Sequence, residues 1–164
     1  MKRTELPRLM AALKRPVESF VRDARVRVSL LVSHSGQVLA QHGFTSSYEV
    51  MNVASLAAAT HASSRALAEV TQSGGWRHLH RAGRDKQLFL APLQTPLAPL
   101  ILVAVFDADS SLGLVQLFFE RLARDVAMLP ELQEPAAATD QVNFERDLEA
   151  GLDRAFAPGS DGGA

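Results

Sequence analysis

The sequence predicts an α/β fold of the α+β sandwich type, with helices covering both faces of a five-stranded antiparallel sheet. Three observations predict it. Segments with a helical apolar period and short β-branched segments follow one another in the order α-β-β-α-β-β-β-α, plus a C-terminal helix. The last predicted strand, residues 100–106, is continuously apolar, as a strand buried on both sides should be. Short turn signals join neighbouring strands, which favours antiparallel hairpins.

The first predicted elements are a helix and a hairpin. Residues 5–23 repeat apolar side chains every three or four positions, and Pro16 predicts a kink or break in that helix. The segments VRVSLLVS at 26–33 and QVLAQH at 37–42 are rich in strand-forming residues. A Ser-Gly turn at 35–36 lies between them, so the two segments are predicted to pair as a β-hairpin.

A long central helix follows the hairpin. Residues 48–72 contain no proline or glycine and are rich in alanine, the strongest helix former. The Ser-Gly-Gly sequence at 73–75 is typical of a helix end.

The second half predicts three strands and another helix. The strands are expected at 76–81, 87–93 and 100–106, with Pro92 marking an end or edge of the second. A helix at 112–129 then shows apolar residues at helical spacing.

The chain divides by composition after the last of these helices. Residues 1–130 are predicted to form one domain, and 131–141 a linker rich in alanine and acidic residues. Residues 142–156 predict a short amphipathic helix, and 157–164 a disordered tail. The apolar stripe of this helix is Phe144, Leu148, Leu152 and Phe156.

Composition excludes several classes of function. The 164 residues include 17 basic and 18 acidic side chains, which argues against a nucleic-acid or anionic-membrane binder. There is no cysteine, so disulfides and thiol nucleophiles are excluded. The longest apolar run is far shorter than the ~20 residues that a membrane-spanning helix needs. We therefore expect a soluble, cytoplasmic protein without membrane insertion.

Candidate catalytic and metal-binding residues are weak. His78 and His80 share one strand face, but zinc normally takes at least three protein ligands. The sequence contains no phosphate-binding GxxxxGK[ST] loop and no nucleophile elbow around a serine. We expect no metal, no cofactor and no catalytic site. A basic hairpin could meet an acidic partner or simply be solvated; its residues are Arg77, Arg81, Arg84 and Lys86.

The element order and three segments resemble the roadblock (dynein light-chain) family, a variant of the profilin-like architecture. The segments are VSLLVSHSGQVLAQHG, VMNVASLAAATHASSRALAEV and LILVAVFDADSSLGLVQLFFERLARDV. They resemble the family's first hairpin, its central helix, and its last strand and helix. The resemblance covers about residues 5–130. Within the family, the central helix, the long first helix and the C-terminal extension are most similar to the bacterial MglB branch.

This resemblance implies a function. MglB-type proteins are homodimers in which the central helices and the strands beside them pair. The dimer binds a small Ras-like GTPase of the MglA type and accelerates GTP hydrolysis by remodelling the switch regions, without an arginine finger. The C-terminal helix is implied as a second contact with the GTPase. The setting would be bacterial cell polarity and gliding motility, with a polar position in the cytoplasm as one option.

The central helix offers a candidate partner face. A helical wheel predicts that Val53, Leu56, Ala57, Thr60, Ser64 and Leu67 face the sheet. Alanines line the opposite side, where a solvated helix would carry charged residues. The predicted partner or dimer face consists of Ala54, Ala58, Ala62, Arg65 and Ala66, with His61 and Glu69 on the same side. The alternative is an inert surface, because alanine is simply the best helix former.

Two other functions stay open at this point. A roadblock-fold scaffold would bind a GTPase without stimulating hydrolysis. A profilin-like or PAS-like sensor would instead need a small-molecule pocket among the strands, and the sequence shows no cluster of inward polar groups there.

Overall fold

The computed structural model describes residues 5–133, and its elements follow the predicted order. The linker, C-terminal helix and tail predicted at 131–164 lie outside the described residues from position 134 onward. The elements are α1 (Glu5–Ala24), β1 (Val28–Ser33), β2 (Val38–His42), α2 (Ser47–Thr71), β3 (Leu79–Ala82), β4 (Gln87–Leu93), β5 (Leu100–Phe106), α3 (Leu112–Ala127) and a 3₁₀ turn (Pro130–Leu132).

The five strands form one antiparallel sheet in the order β2-β1-β5-β4-β3. Strand β5 lies in the middle, where Leu102 is opposite Leu31 of β1 and Ala91 of β4. Six of its seven residues are buried and only Val105 is half-buried, so the predicted two-sided burial is confirmed. Strands β2 and β3 form the two edges of the sheet.

Helices α1 and α3 cover one face of the sheet. The apolar stripe predicted on α1 is confirmed, since Leu9, Leu13, Val17 and Phe20 are all buried in the core of this face. The predicted break at Pro16 is wrong, because α1 runs through it without interruption. Proline removes one backbone hydrogen bond, and burial of the stripe on both sides of it outweighs that loss.

Helix α2 covers the other face. It contacts β1, β2 and β5, and its buried residues share a second core with residues of β1, β4 and β5. The strand residues of this second core are Leu30, Val32, Leu90, Ile101 and Val103. The sheet therefore separates two cores, with two helices on one side and a single helix on the other.

Strand β3 is shorter than predicted, because it begins at Leu79 instead of residue 76. Its pairing with β4 places Leu79 opposite Leu90. Continued pairing would bring Arg77 opposite Pro92, which has no N–H to donate to a neighbouring strand. The indole of Trp76 instead packs on the α2 side of the sheet.

Candidate partner-binding face on the central helix

One side of α2 packs against the sheet, and small residues dominate it. Along this side Val50, Ala54, Ala57, His61 and Ala68 are all buried. Their spacing of three, four and seven residues keeps them on one side of an α-helix. Alanine at these positions lets the helix backbone lie close to the strands.

The predicted orientation of α2 is right for Val53 and Ala57, which pack on the sheet side, and wrong for other residues. Leu56 and Leu67 were expected to face the sheet, but they are 67% and 64% exposed. Ala54 and His61 were expected to face outward, but they are only 1% and 7% exposed. Because α2 carries apolar residues on nearly every side, hydrophobicity alone could not select the buried side. Residue size selects it, since the narrow space above the sheet holds alanine better than leucine.

The structure separates the five residues of the predicted partner face. Ala62, Arg65 and Ala66 are exposed, whereas Ala58 is half-buried beside the β1–β2 turn at Gly36. Ala54 belongs to the core, so its place on a partner face is wrong. The sequence analysis did not place the exposed residues Leu56 and Leu67 on the partner face. The pattern that could have identified them is a pair of leucines on a helix that is otherwise rich in alanine.

The solvent side of α2 exposes apolar side chains beside the uncharged polar residues Asn52, Ser55 and Ser63, and we call it the α2 outer face. Four large side chains on it are more than three-fifths exposed: Met51 (68%), Leu56 (67%), Leu67 (64%) and Val70 (83%). The exposed alanines between them are Ala59, Ala62 and Ala66. No charged residue occurs from 50 to 64, and farther along Arg65 pairs with Glu69 at 3.4 Å. Exposed apolar patches of this kind mark interaction surfaces.

The apolar surface extends toward the β3 edge of the sheet. Trp76, Leu79 and Leu88 are half-buried and lie on the same side of the sheet as α2. Strand β3 pairs only with β4 among the described strands, so one row of its backbone groups has no strand neighbour. An edge of this kind can pair with another chain.

The two histidines considered as metal ligands make other contacts. The His78 ring stacks on Phe89 at 5.5 Å between centroids, and its Nε2 lies 3.1 Å from the Gln116 amide nitrogen. The His80 Nε2 lies 2.9 Å from Oε1 of Gln87. Within residues 5–133, no three potential ligands among His, Asp and Glu come together.

A charged cluster lies where β5 ends. The Arg27 guanidinium donates to Oδ2 of Asp107 at 2.7 Å and also to Asp109. The Asp109 N–H donates to Oδ1 of Asp107 at 3.0 Å. That bond, followed by the Arg27 hydrogen bond, lowers the pKa of the Asp107 carboxyl. A hollow of about 540 Å³ beside this cluster is lined by Arg25, Arg27 and Asp109, together with Val26 and Ala108.

Comparison with known proteins places this architecture in a family. The Roadblock/LC7 domain, as a family profile, matches residues 14–105, more than half of the chain. The chain belongs to the Roadblock/LC7 family. The resemblance inferred from the sequence is thus confirmed. The matched residues include strands β1 to β4, nearly all of β5, the whole of α2 and the second half of α1. No curated protein sequence matches the chain.

Solved roadblock structures are similar to this one. MglB of Myxococcus xanthus is 25% identical with a TM-score of 0.61, over 73% of this chain and 92% of that protein. The gliding protein MglB of Thermus thermophilus is 24% identical with a TM-score of 0.59, over 77% and 91%. A roadblock domain from Streptomyces avermitilis is 18% identical with a TM-score of 0.57, over 66% and 89%, and shares the fold.

Two further predictions concern membrane insertion and the C-terminal segment. Within residues 5–133, no helix is long and apolar enough to cross a membrane. The second predicted contact, made by Phe144, Leu148, Leu152 and Phe156, lies outside the described residues.

Proposed function

We propose that this roadblock domain is a homodimeric regulator that binds a small Ras-like GTPase of the MglA type and stimulates GTP hydrolysis. The observation that carries the proposal is the α2 outer face, which exposes Leu56, Leu67 and Val70 with no charged residue between 50 and 64. The similarity to Myxococcus MglB, at 25% identity over most of both chains, supports it.

The shape of the α2 outer face suits contact between copies. Ala59, Ala62 and Ala66 occupy the middle of the helix surface, and the larger side chains lie toward its two ends. Small central residues let a second helix approach closely, while the larger ones supply apolar area on burial. The unpaired edge of β3 would join the same interface by pairing with β3 of the second copy. A related MglB is described as having a tetrameric arrangement, which supports self-association in this group.

In this proposal the regulator acts without an arginine finger. On the α2 side, Arg65 is paired with Glu69 on the same helix. Arg121 lies on α3, across the sheet, beside Asp23 and Asp125. The stimulus would therefore come from holding the switch regions of the GTPase in a hydrolysis-competent arrangement. Arg65→Ala should leave the stimulated rate within about twofold of wild type, whereas a catalytic arginine is worth about 10³-fold or more.

The C-terminal segment is a second contact in the proposal. The predicted stripe of Phe144, Leu148, Leu152 and Phe156 would bind a groove of the GTPase as an amphipathic helix. Removal of residues 135–164 should change GTPase affinity or nucleotide exchange while the melting temperature of the core is preserved. Loss of the folded core in that variant would instead give the segment a structural role.

Self-association is tested by the mass of the protein in solution. Leu56→Asp combined with Leu67→Asp places two charges on the α2 outer face, and we expect it to convert a dimer into a monomer in light scattering. Leu117→Asp is the matched control, because Leu117 is 60% exposed but lies on α3, across the sheet. A wild-type monomer, or equal masses for all three proteins, would contradict the dimer.

Regulation is tested by single-turnover hydrolysis on a GTP-loaded Ras-like GTPase from the same genome. The wild type and Leu117→Asp should accelerate hydrolysis equally, and the double α2 variant should not. Binding without acceleration would favour the scaffold over the activator. Absence of binding by wild type would overturn the GTPase proposal itself.

The proposed setting is the bacterial cytoplasm, in cell polarity and gliding motility. The Thermus relative is named as a gliding protein, which supports that setting. A fluorescent fusion would show a polar position that depends on the GTPase gene; a uniform distribution in both strains would contradict this part.

A further inference from the structure

A histidine and a tryptophan meet at the junction between α2 and the segment before β3. His61 is 7% exposed on the sheet side of α2, and its ring centroid lies 5.6 Å from that of Trp76. Among the described residues, neither the buried Nδ1 of His61 nor the buried Nε1 of Trp76 has a hydrogen-bond partner. A buried polar atom without a hydrogen-bond partner destabilises the folded state. Protonation of the imidazole would add a second N–H and a positive charge, so the stability of this packing depends on the charge state of His61.

The surroundings of His61 disfavour its charged form. The strands beneath α2 contribute only apolar side chains to the core that α2 shares with them. The charged or titratable groups that act on the ring are Arg65, one turn along α2, and His34 in the β1–β2 turn. Both oppose a positive charge on the ring and so lower the pKa of His61.

We propose that His61 is a proton-sensitive switch that holds Trp76 against α2 when neutral and releases it, with the connection to β3, when protonated. The proton enters on Nδ1, which carries the free electron pair of the imidazole when Nε2 bears its hydrogen. The resulting N–H and positive charge would lie in an apolar space without an acceptor. The chain relieves this by moving the ring and the indole apart, which exposes both to water.

The connection between α2 and β3 has the freedom that such a movement requires. Gln72 ends α2 with a positive φ of 52°, and Gly74 follows with a φ of 78°. A Cβ built on Gly74 or Gly75 would meet no atom within 4 Å, so this turn lies clear of the rest of the domain. Trp76 is the first residue after the turn that packs against α2. Its packing against His61 and the core beneath α2 joins the connection to the helix.

The direction of the pH effect follows from the difference in the pKa of His61 between the folded and the unfolded protein. Burial first, and then Arg65 and His34, lower the pKa of His61 below its ordinary value of 6.5. A histidine whose pKa is lowered by folding is protonated more readily in the unfolded or released state. The stability that the neutral ring provides is therefore complete above about pH 6.5 and declines as the pH falls toward the lowered pKa. Acidification, within that window, favours release of Trp76.

The experiment uses the fluorescence of Trp76, the single tryptophan of the chain. Emission of the full-length protein is recorded from about pH 8 to about pH 5, with hydrogen exchange of residues 72–79 measured at both ends. We expect a red shift with a midpoint below pH 6.5. The protection factors of residues 72–79, which correct the exchange rates for their intrinsic dependence on pH, should be at least about tenfold lower in acid. His61→Phe should abolish both changes, because phenylalanine fills a similar space and cannot be protonated.

Two control variants separate His61 from the other histidines. His78→Gln lies two residues from Trp76 and should leave the transition unchanged. His34→Gln removes a repelling charge, so the midpoint should rise without loss of the transition. Since the chain is tested alone, a negative result here leaves the GTPase proposal untouched.

The proposal is overturned if the Trp76 emission and the protection factors of residues 72–79 stay constant while the His61 ring titrates in proton NMR spectra of the wild type. An identical red shift in folded His61→Phe would overturn it as well. If His61→Phe does not fold, His61→Gln takes its place, and the ring titration of the wild type decides the outcome.

Discussion

Leu56 and Leu67 lie on the same outward side of α2, eleven residues and about three helical turns apart, and each exposes roughly two-thirds of its surface. They frame a row of exposed alanines on a helix whose buried side is also largely alanine. Four large apolar side chains are more than three-fifths exposed on this one helix, and clusters of this kind are typical of interaction surfaces. This relationship is the structural basis for placing the partner face on α2.

The orientation of α2 can be tested by making the same substitution, alanine to leucine, once on each side of the helix. Ala57→Leu adds a larger side chain beneath the helix, where Ala57 is 2% exposed, and should reduce the free energy of unfolding by about 1–3 kcal/mol. Ala62→Leu makes the same chemical change on the exposed side and should cost less than about 0.5 kcal/mol. Both variants are made with Leu56→Asp and Leu67→Asp, so that the proposed dimer contact does not contribute. Urea unfolding measures both. Equal losses for the two variants would show that α2 is oriented differently.

A second pair of variants concerns the glycine after β2. Gly43 has a φ of 79°, and a Cβ there would lie 2.1 Å from the carbonyl oxygen of Arg27. Gly43→Ala must displace backbone as well as strain φ, so we expect a loss of more than about 2 kcal/mol. Gly74→Ala is the control, since its φ is 78° and the space around it is open. Backbone strain alone should cost that variant about 1 kcal/mol in thermal or urea unfolding; a similar loss in both would remove the role of the Arg27 carbonyl.

The Asp107 carboxylate should make part of the folding stability sensitive to acid. The pKa of Asp107 is lowered by the Asp109 N–H and by Arg27, so its contribution is present above its unfolded pKa of about 3.9. That contribution is lost as the pH falls below about 4. Asp107→Asn keeps an acceptor for the Asp109 N–H but removes the charge opposite Arg27. Its melting temperature should fall less steeply than that of wild type between about pH 5 and pH 3; parallel curves would contradict this assignment.

A buried hydroxyl in β1 provides a fourth prediction. Ser29 is fully buried, and its Oγ has no partner among the described residues. Ser29→Ala removes a desolvated polar group at little change in volume, so stability should be unchanged or rise by about 1 kcal/mol. Chemical unfolding tests this. A loss above about 1 kcal/mol would show that the hydroxyl makes a bond through a buried water.

Much of the fold could be predicted because its signals are local. The hairpin, the glycine-free central helix and the continuously apolar β5 each follow from the residues inside the element, and their bounds agree with the structure to within two residues. Strand β3 is the exception, because its first residues depend on Pro92 of the neighbouring strand. The continuity of α1 through Pro16 also depends on tertiary packing, which a local rule for proline does not contain.

The candidate site was harder to predict, since it depends on which way α2 is turned. Ala54 and Ala58 look equivalent to Ala62 on a wheel, yet the sheet buries the first and partly covers the second. Of the residues predicted for the partner face, Ala62, Arg65 and Ala66 are exposed. The sequence analysis did not predict the exposure of Leu56 and Leu67 or the contact between His61 and Trp76. Both depend on how closely α2 packs on the sheet, which the sequence of the helix alone does not determine.

The most direct test of the central claim, that partners bind the α2 outer face, uses the absence of cysteine from the chain. Leu56→Cys and Leu117→Cys each introduce one thiol at a comparably exposed position, on opposite sides of the sheet. Alkylation rates are measured for dilute protein, concentrated protein and the complex with a GTP-loaded Ras-like GTPase. We predict that only the Leu56→Cys thiol is protected, by about tenfold or more, on concentration or complex formation. Equal rates for the two variants under all three conditions would contradict the claim.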